Sequence, residues 1–387
     1  MLLRSLDLVS FEYGAGNGAE ALCALRLVSA LARGGVSCRI LTASRTNADV
    51  ANITITRVPS FLTRPTRIQG RIGKGMLGYF CDNWAWPYLA PLTFKCTSRV
   101  LYSRANPLVS HVASMKIAGT GKRFARVLHF SDPIPCPWEW KDRALWRDKL
   151  RVTSRLIAQA DFLTFTTEEA VGYMEEIHRV PLSNRAGIVR NPLAGCPRSP
   201  AKRPEDLVLL YAGAFGGDRT PDPLVDGVTA YNQTHRNHAR LRFVGVPEPW
   251  RSQIRERAGP NASLSFAPWT LSPELEYNAA AISVVIDAPD TDAVYLASKT
   301  ADAIAYANNV LLITPGRSPA RRLFAGRWRS VVCADHAPES VCRAIDQLAN
   351  NDTGLLLAES ESRWEYVRGF RPEIVSAELL RLFQRLI

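Results

Sequence analysis

The chain has 387 residues, 47% of them hydrophobic and 22% charged, which suffices for two domains with real cores and excludes a disordered or low-complexity protein. Its formal net charge is +12, and the whole excess lies in residues 1–190, where 26 Lys+Arg face 14 Asp+Glu; residues 191–387 hold 22 of each. No apolar run is long enough to span a bilayer, the start of the chain has no signal-peptide pattern, and the eight cysteines form no CxxC pair; these exclude a spanning helix and a zinc ribbon and point to reduced thiols.

In chain order, residues 4–9 contain Arg4 and Asp7 and make a middling strand. A helix is predicted over 19–33, with Ala24, Leu27, Val28 and Leu31 on one face and Gly34 and Gly35 ending it. Strands are predicted at 38–43, 53–58, 100–103, 127–130, 162–166 and 187–190, and then, more cleanly, at 207–212, 241–246, 263–266, 283–287, 310–314 and 330–333. Helical stretches lie between them. Each half therefore reads as a doubly wound α/β unit with a parallel sheet. Residues 192–205, rich in proline and cations, read as a linker between residues 1–191 and 206–371. A last amphipathic helix is predicted over 372–387.

The Gly-rich loop 13–20 leads straight into a helix. Gly16, Asn17, Gly18 and Glu20 can approach a phosphate or sugar, because glycine lets backbone come close and the helix start offers N–H groups. Gly14-x-Gly16-x-x-Ala19 formally fits a dinucleotide fingerprint, but the next strand ends without the acid that would bind a ribose, so an NAD(P)-dependent oxidoreductase stands as an alternative. A tight turn capping a helix explains the loop equally. The second loop, 211–223, follows the first strand of the second half. It carries Gly213, Phe215, Gly216 and the cation Arg219, which can grip a diphosphate with two prongs.

Residues 295–315 carry most of the functional signal. Ser298 and Lys299 open a helix, Asp302 follows three residues after the lysine on the same face, and a buried strand comes next. A lysine at a helix N-terminus suits a phosphate, and an acid one turn inward can hold ribose hydroxyls. A surface i,i+3 pair is the bland alternative. Asp290-Thr-Asp292 spells a DxD, but the adjacent Lys299 would compete for the same phosphates, so no metal is expected. In the first half, His129 and Asp132 end a strand and would point to the sheet's carboxyl edge, where either can orient an acceptor hydroxyl; a hydrogen-bonded core histidine is the alternative for His129.

Residues 57–126 hold 12 basic residues against one acid, Asp82. Arg64, Arg67, Arg71 and Lys74 lie there with Trp84 and Trp86, a mixture that suits an anionic membrane surface. A solvated basic face over a buried aromatic cluster is the competing reading. No nucleic-acid motif accompanies the charge, so no nucleic-acid partner is expected.

The ordered set resembles the retaining glycosyltransferases of the GT-B fold, the bacterial group called family 4. The likeness runs through Asn17-Gly-Ala-Glu20 and Ala32-Arg-Gly34, Ser103 to His111, Gly121 to Pro133, Ile188-Val-Arg-Asn191, Leu210-Tyr-Ala-Gly213, Leu241 to Gly245, and Ala297-Ser-Lys299 with Asp302. It departs at Asp302, where glutamate is usual, at Val294 and Leu224, which replace an acid and a lysine, and at Pro192, where glycine follows the junction asparagine. The resemblance implies two Rossmann-like domains facing each other across a cleft, with the C-terminal helix crossing back onto the first. It implies transfer of a sugar from a nucleotide-diphosphate donor to a hydroxyl, with retention and without a metal or other cofactor. Lys299 and Arg219 would hold the leaving diphosphate, Asp302 the ribose, and Asp132 would position hydroxyls. The basic first domain would take a lipid-linked glycan at the inner face of the cytoplasmic membrane, in cell-surface polysaccharide assembly. A catalytically impaired binding module of the same fold, and a nucleotide-sugar epimerase, are the remaining alternatives.

Overall fold

The computed structural model describes residues 3–14, 18–46, 50–60, 67–79, 81, 83–105, 107–121, 123–194, 206–260, 262–270, 273–289 and 293–387, with the side chains of 67–70 excepted. The chain divides into two compact units, Met1–Pro192 with Phe370–Ile387, and Leu193–Gly369.

The first unit is built on seven parallel strands: β1 (Ser5–Val9), β2 (Ser37–Thr42), β3 (Ile53–Arg57), β4 (Val100–Arg104), β5 (Ala125–Phe130), β6 (Phe162–Phe165) and β7 (Ala186–Ile188). Their order is β3-β2-β1-β4-β5-β6-β7. Strands covered on both faces read as near-continuous apolar runs, and β4 and β5 are buried almost throughout. β1 is central despite its acid. Asp7 is buried, and its Oδ2 accepts hydrogen bonds from the backbone N–H groups of Thr97 (2.6 Å) and Ser98 (2.9 Å), while Arg39 lies 3.2 Å from Oδ1. Two amide donors on one oxygen and a cation beside the other lower the cost of burying this carboxylate.

Helix Ala19–Arg33 buries the stripe Ala24, Leu27, Val28 and Leu31 against one face of this sheet. The C-terminal helix Pro372–Gln384 joins the same core through Val375, Leu379 and Phe383, all fully buried. Phe383 meets the ring of Tyr102 at 5.4 Å, edge on. The opposite face is covered by a second core that includes Phe94, Phe130 and Phe165.

The second unit has six parallel strands: β8 (Val208–Ala212), β9 (Arg240–Val244), β10 (Leu264–Ala267), β11 (Ile282–Ile286), β12 (Asn309–Ile313) and β13 (Val331–Ala334), ordered β10-β9-β8-β11-β12-β13. In such sheets ligands bind at the carboxyl edge where strand order reverses. That point lies between β1 and β4 in the first unit and between β8 and β11 in the second. Among the described residues, no helix is long and apolar enough to cross a membrane.

Candidate functional site at the two strand-order reversals

In the second unit, β11 leads through a loop to helix Ser298–Tyr306, which places Lys299 in the first helical turn. The helix start has no side-chain cap; the Thr300 N–H bonds the Ala297 carbonyl (2.9 Å), and a helix start of this kind suits an anion. Lys299 folds back across the reversal. Its Nζ donates to the carbonyl of Ala212 at the end of β8 (3.1 Å) and lies 3.6 Å from the ring centroid of Tyr211. Gly213 makes this possible. Its φ is +122°, and a Cβ there would sit 3.2 Å from the ammonium. Burial pushes the Lys299 pKa well below its usual value, and the nearby Arg219 charge adds to that, while Asp287 works against it.

Arg219 is half-buried, and only its Nε is engaged, donating to the Gly216 carbonyl (3.2 Å). Its remaining nitrogens have no hydrogen-bond partner among the described residues, which leaves a guanidinium edge able to meet an anion. Ser298 is half-buried at the first position of the same helix.

Two residues expected to touch a donor are committed elsewhere. Phe215 is buried and stacks flat on Tyr211 (4.3 Å, 5°), with Trp250 behind it, so it is a core aromatic and not a platform for a base. Asp302 is also buried, and its Oδ1 accepts from the backbone N–H of Ala194 (2.8 Å). One turn on, Tyr306 donates its hydroxyl to the Ala194 carbonyl. Asp302 and Tyr306 thus clamp one residue of the incoming chain, and that carboxylate oxygen is not presented to a ribose. Asp290 and Asp292 lie outside the described residues. Among the described residues, no cluster of three or more His, Cys, Asp or Glu could hold a metal.

Sequence reasoning missed Asp287, which directly follows β11 and is 2% exposed. Its Oδ2 accepts from the Thr314 hydroxyl (2.8 Å), and His336 Nε2 lies 2.9 Å from its carbonyl oxygen. Its Oδ1 is buried with no hydrogen-bond partner among the described residues. The available signal was a single acid closing an apolar strand at the carboxyl edge.

In the first unit, the reversal carries a buried ion pair. Arg104, at the end of β4 and 1% exposed, donates from Nε to Glu20 Oε1 (2.6 Å) and from Nη2 to Ser131 Oγ (3.3 Å). Ser131 donates to the other oxygen of Glu20. Glu20 opens helix Ala19–Arg33 as expected of the loop, but both its oxygens are used within the protein. Gly18 (φ +101°) precedes it with the Glu12 carboxylate alongside, 3.7 Å from where a Cβ would stand. Burial and the charge of Glu20 raise the Glu12 pKa. Gly16 and Asn17 lie outside the described residues. Asp132, two residues beyond the end of β5, is half-buried and is engaged within the protein.

His129 does not point outward. It is fully buried in β5, its Nδ1 lies 3.0 Å from Thr164 Oγ1, and its ring lies 5.9 Å from that of Tyr102. Burial first, then the Arg104 and His111 charges, push its pKa well below the usual value, so it is a neutral core histidine. Trp86 is likewise internal: it is 2% exposed, donates from Nε1 to the Val58 carbonyl (2.9 Å) and meets Phe11 edge to face. Trp84 is half-buried against the same core. Neither indole forms an exposed belt. Arg64 and the side chain of Arg67 are outside the described set.

Arg71 and Lys74 are exposed on helix Arg67–Leu77, Lys74 pairing with Asp148 at 2.9 Å. Beside them Ile72 (42% exposed) and Met76 (49%) stand one turn apart on the same helix. The adjoining helix Trp86–Thr93 exposes Leu89 and Leu92, the latter at 79%, and Tyr88 ties the two helices by donating to the Met76 carbonyl (2.7 Å). Exposed aliphatics, and not the tryptophans, thus accompany the cations on this face.

No protein-family model matches the chain, and no curated protein matches it. Solved structures do match. HepE from Anabaena, in complex with UDP and glucose, superposes with a TM-score of 0.66 over 99% of both chains at 11% identity. A glycosyltransferase from Rickettsia africae gives 0.66 over 99% of this chain and 98% of its own, also at 11% identity. TarM gives 0.68 over 98% of both chains at 8% identity.

The chain has the GT-B fold. At these identities the likeness establishes architecture alone, and what a GT-B scaffold does depends on its side chains. In this GT-B chain Lys299, Arg219 and Asp287 lie at one reversal, and Glu20, Arg104, Ser131 and Glu12 lie at the other.

Proposed function

We propose that this protein is a glycosyltransferase that moves a sugar from a nucleoside-diphosphate donor to a hydroxyl of a glycan acceptor. The observation that carries the reading is the convergence of Lys299, the free edge of Arg219 and an uncapped helix start on the β8/β11 reversal, beside Gly213. The structurally similar HepE was solved with UDP and glucose bound, which fits a donor of that class.

Breaking an anomeric bond places negative charge on the departing diphosphate. Preorganised cations and N–H groups that meet the charge as it grows lower the barrier. Arg219 presents a fixed fork, and Lys299 leaves its carbonyl perch on Ala212 to follow the leaving oxygen. These groups supply the positive charge that a divalent cation supplies in other transferases, so the reaction proceeds without a metal. Retention of configuration accompanies the resemblance to family 4. At the other reversal, Asp132 orients hydroxyls near the Gly18–Glu20 loop, whose helix start is braced by Arg104.

The acceptor is a lipid-linked glycan, and the protein binds it at an anionic membrane surface. Ile72, Met76 and Leu92, flanked by Arg71, Lys74 and Lys95, support this: exposed aliphatics enter the headgroup boundary while cations meet anionic lipid. Flotation with phosphatidylglycerol vesicles tests it. The triple variant I72S/M76S/L92S is expected to bind at least tenfold more weakly, ~1.4 kcal/mol, with an unchanged melting temperature. Equal flotation of variant and wild type contradicts membrane docking through this face. The transfer reaction is tested by incubating the protein with a panel of UDP-, GDP- and dTDP-sugars and glycan acceptors and measuring released nucleoside diphosphate. Acceptor-dependent release from one donor is the expected result, and no release from any donor argues for a non-catalytic binding module.

A further inference from the structure

The Asp287 carboxylate has no place in the mechanism above, yet it is buried at the carboxyl edge of β11 with one oxygen lacking a hydrogen-bond partner among the described residues. In the β8–β11 register Ser283 pairs with Leu210 and Val284 with Tyr211, which sets Asp287 level with the residues just beyond Ala212. Parallel neighbours lie about 5 Å apart. The Lys299 ammonium rests on the Ala212 carbonyl, on that same edge.

We infer that Asp287 is a positioning residue that keeps the Lys299 ammonium charged for the diphosphate, an inference that rests on the transferase reading. Among the described residues, several titratable groups act on the pair. Tyr211 and Arg219 face it from β8 and the loop after it, and His336 and Cys333 from β13 and its end, with Arg321 beyond Thr314. Burial holds the Tyr211 and Cys333 protons on, the latter group being pushed up to about 11. Arg219 and burial both favour a neutral lysine, and Asp287 alone among the named groups favours the ammonium. Thr314 fixes the carboxylate by donating to Oδ2, and Ser318 in turn lies 2.6 Å from the Thr314 hydroxyl. The geometry is a braced carboxylate: burial raises its pKa, the Thr314 hydrogen bond and the Arg219 and Lys299 charges work against that, and its second oxygen has no hydrogen-bond partner among the described residues.

The sign follows directly. Removing the Asp287 charge takes away the attraction that stabilises the ammonium, so the lysine loses its proton at lower pH. An opposite charge within about 4–6 Å moves a pKa by about one unit or more. The test is trace acetylation of Lys299 by acetic anhydride from neutral to alkaline pH, resolved by peptide mass spectrometry, which needs no donor. In D287N the midpoint of the labelling curve is expected about one unit lower than in wild type. T314V, which weakens the charged carboxylate while leaving it in place, is expected to fall between the two. Circular dichroism melting reports folding, and T314V carries the test if D287N does not fold. An unmoved midpoint in the folded variants overturns the role of Asp287. Titration of wild type with inorganic pyrophosphate, read by calorimetry, is a separate arm: absence of binding contradicts the transferase reading, while the labelling shift judges the coupling itself.

Discussion

Lys299→Ala is expected to lower the rate of sugar transfer by about a hundredfold, because losing one preorganised contact to a developing negative charge costs about 3 kcal/mol. The loss should appear in kcat more than in KM, since the charge on the leaving diphosphate grows only as the bond breaks. Stability should not follow. The ammonium is pushed toward neutrality by burial and by Arg219, so its removal relieves a desolvation cost; it leaves behind the Ala212 carbonyl and the Asp287 carboxylate, whose pKa burial already raises and which takes up a proton once the cation is gone. Lys299→Met, which keeps the stem packed on Tyr211, separates the two effects. It should melt close to the wild-type temperature, the relieved desolvation offsetting the lost partners of Ala212 and Asp287, and remain as inactive as the alanine variant. Turnover near wild type in a folded Lys299→Met protein removes the lysine from the reaction.

The second large effect is expected in stability. Glu20→Ala leaves the Arg104 guanidinium buried at 1% exposure with Ser131 as its remaining named partner. An uncompensated buried charge of this kind destabilises by about 3–5 kcal/mol, a large part of the stability of an ordinary domain. Burial alone would lower the Arg104 pKa, but Glu20 more than offsets it and the group remains cationic. Urea unfolding, monitored by tryptophan fluorescence, measures the cost. Replacing both partners together, Glu20→Leu with Arg104→Met, is expected to recover much of it, because no charge is then left without a partner. A Glu20→Ala penalty below about 1 kcal/mol would mean that water reaches the pair, in the manner of an exposed salt bridge.

The sheets were legible because parallel strands covered on both faces read as apolar runs. The stretches at 207–212 and 310–314 fall on β8 and β12 almost residue for residue. β1 was obscured by Asp7, whose partners, the backbone amides of Thr97 and Ser98, lie some ninety positions away and leave no local trace. Arg104 was hidden in the same way, its anion being contributed by Glu20 from a different element. Lys299 was readable because a strand-to-helix turn fixes where its side chain starts, though not that it folds back over Tyr211.

Composition placed tryptophan beside cations in residues 57–126, but it could not tell an indole facing out from one donating to Val58, and the exposed aliphatics carry that surface. Asp302 shows the limit of spacing. Its position one turn into the helix is as expected, and its hydrogen bond runs inward to Ala194. Asp287 was passed over as the end of a strand, since a lone acid in sequence says nothing of the cations that fold around it.

The account depends most on an anion site at the β8/β11 reversal that holds a nucleoside diphosphate. A crystal of the protein soaked in UDP or GDP tests this directly. The account predicts diphosphate oxygens within hydrogen-bonding distance of Lys299 Nζ and the free edge of Arg219, with the Lys299–Ala212 contact broken. A nucleotide bound elsewhere, or saturating nucleotide with this edge of the sheet unchanged, would contradict it.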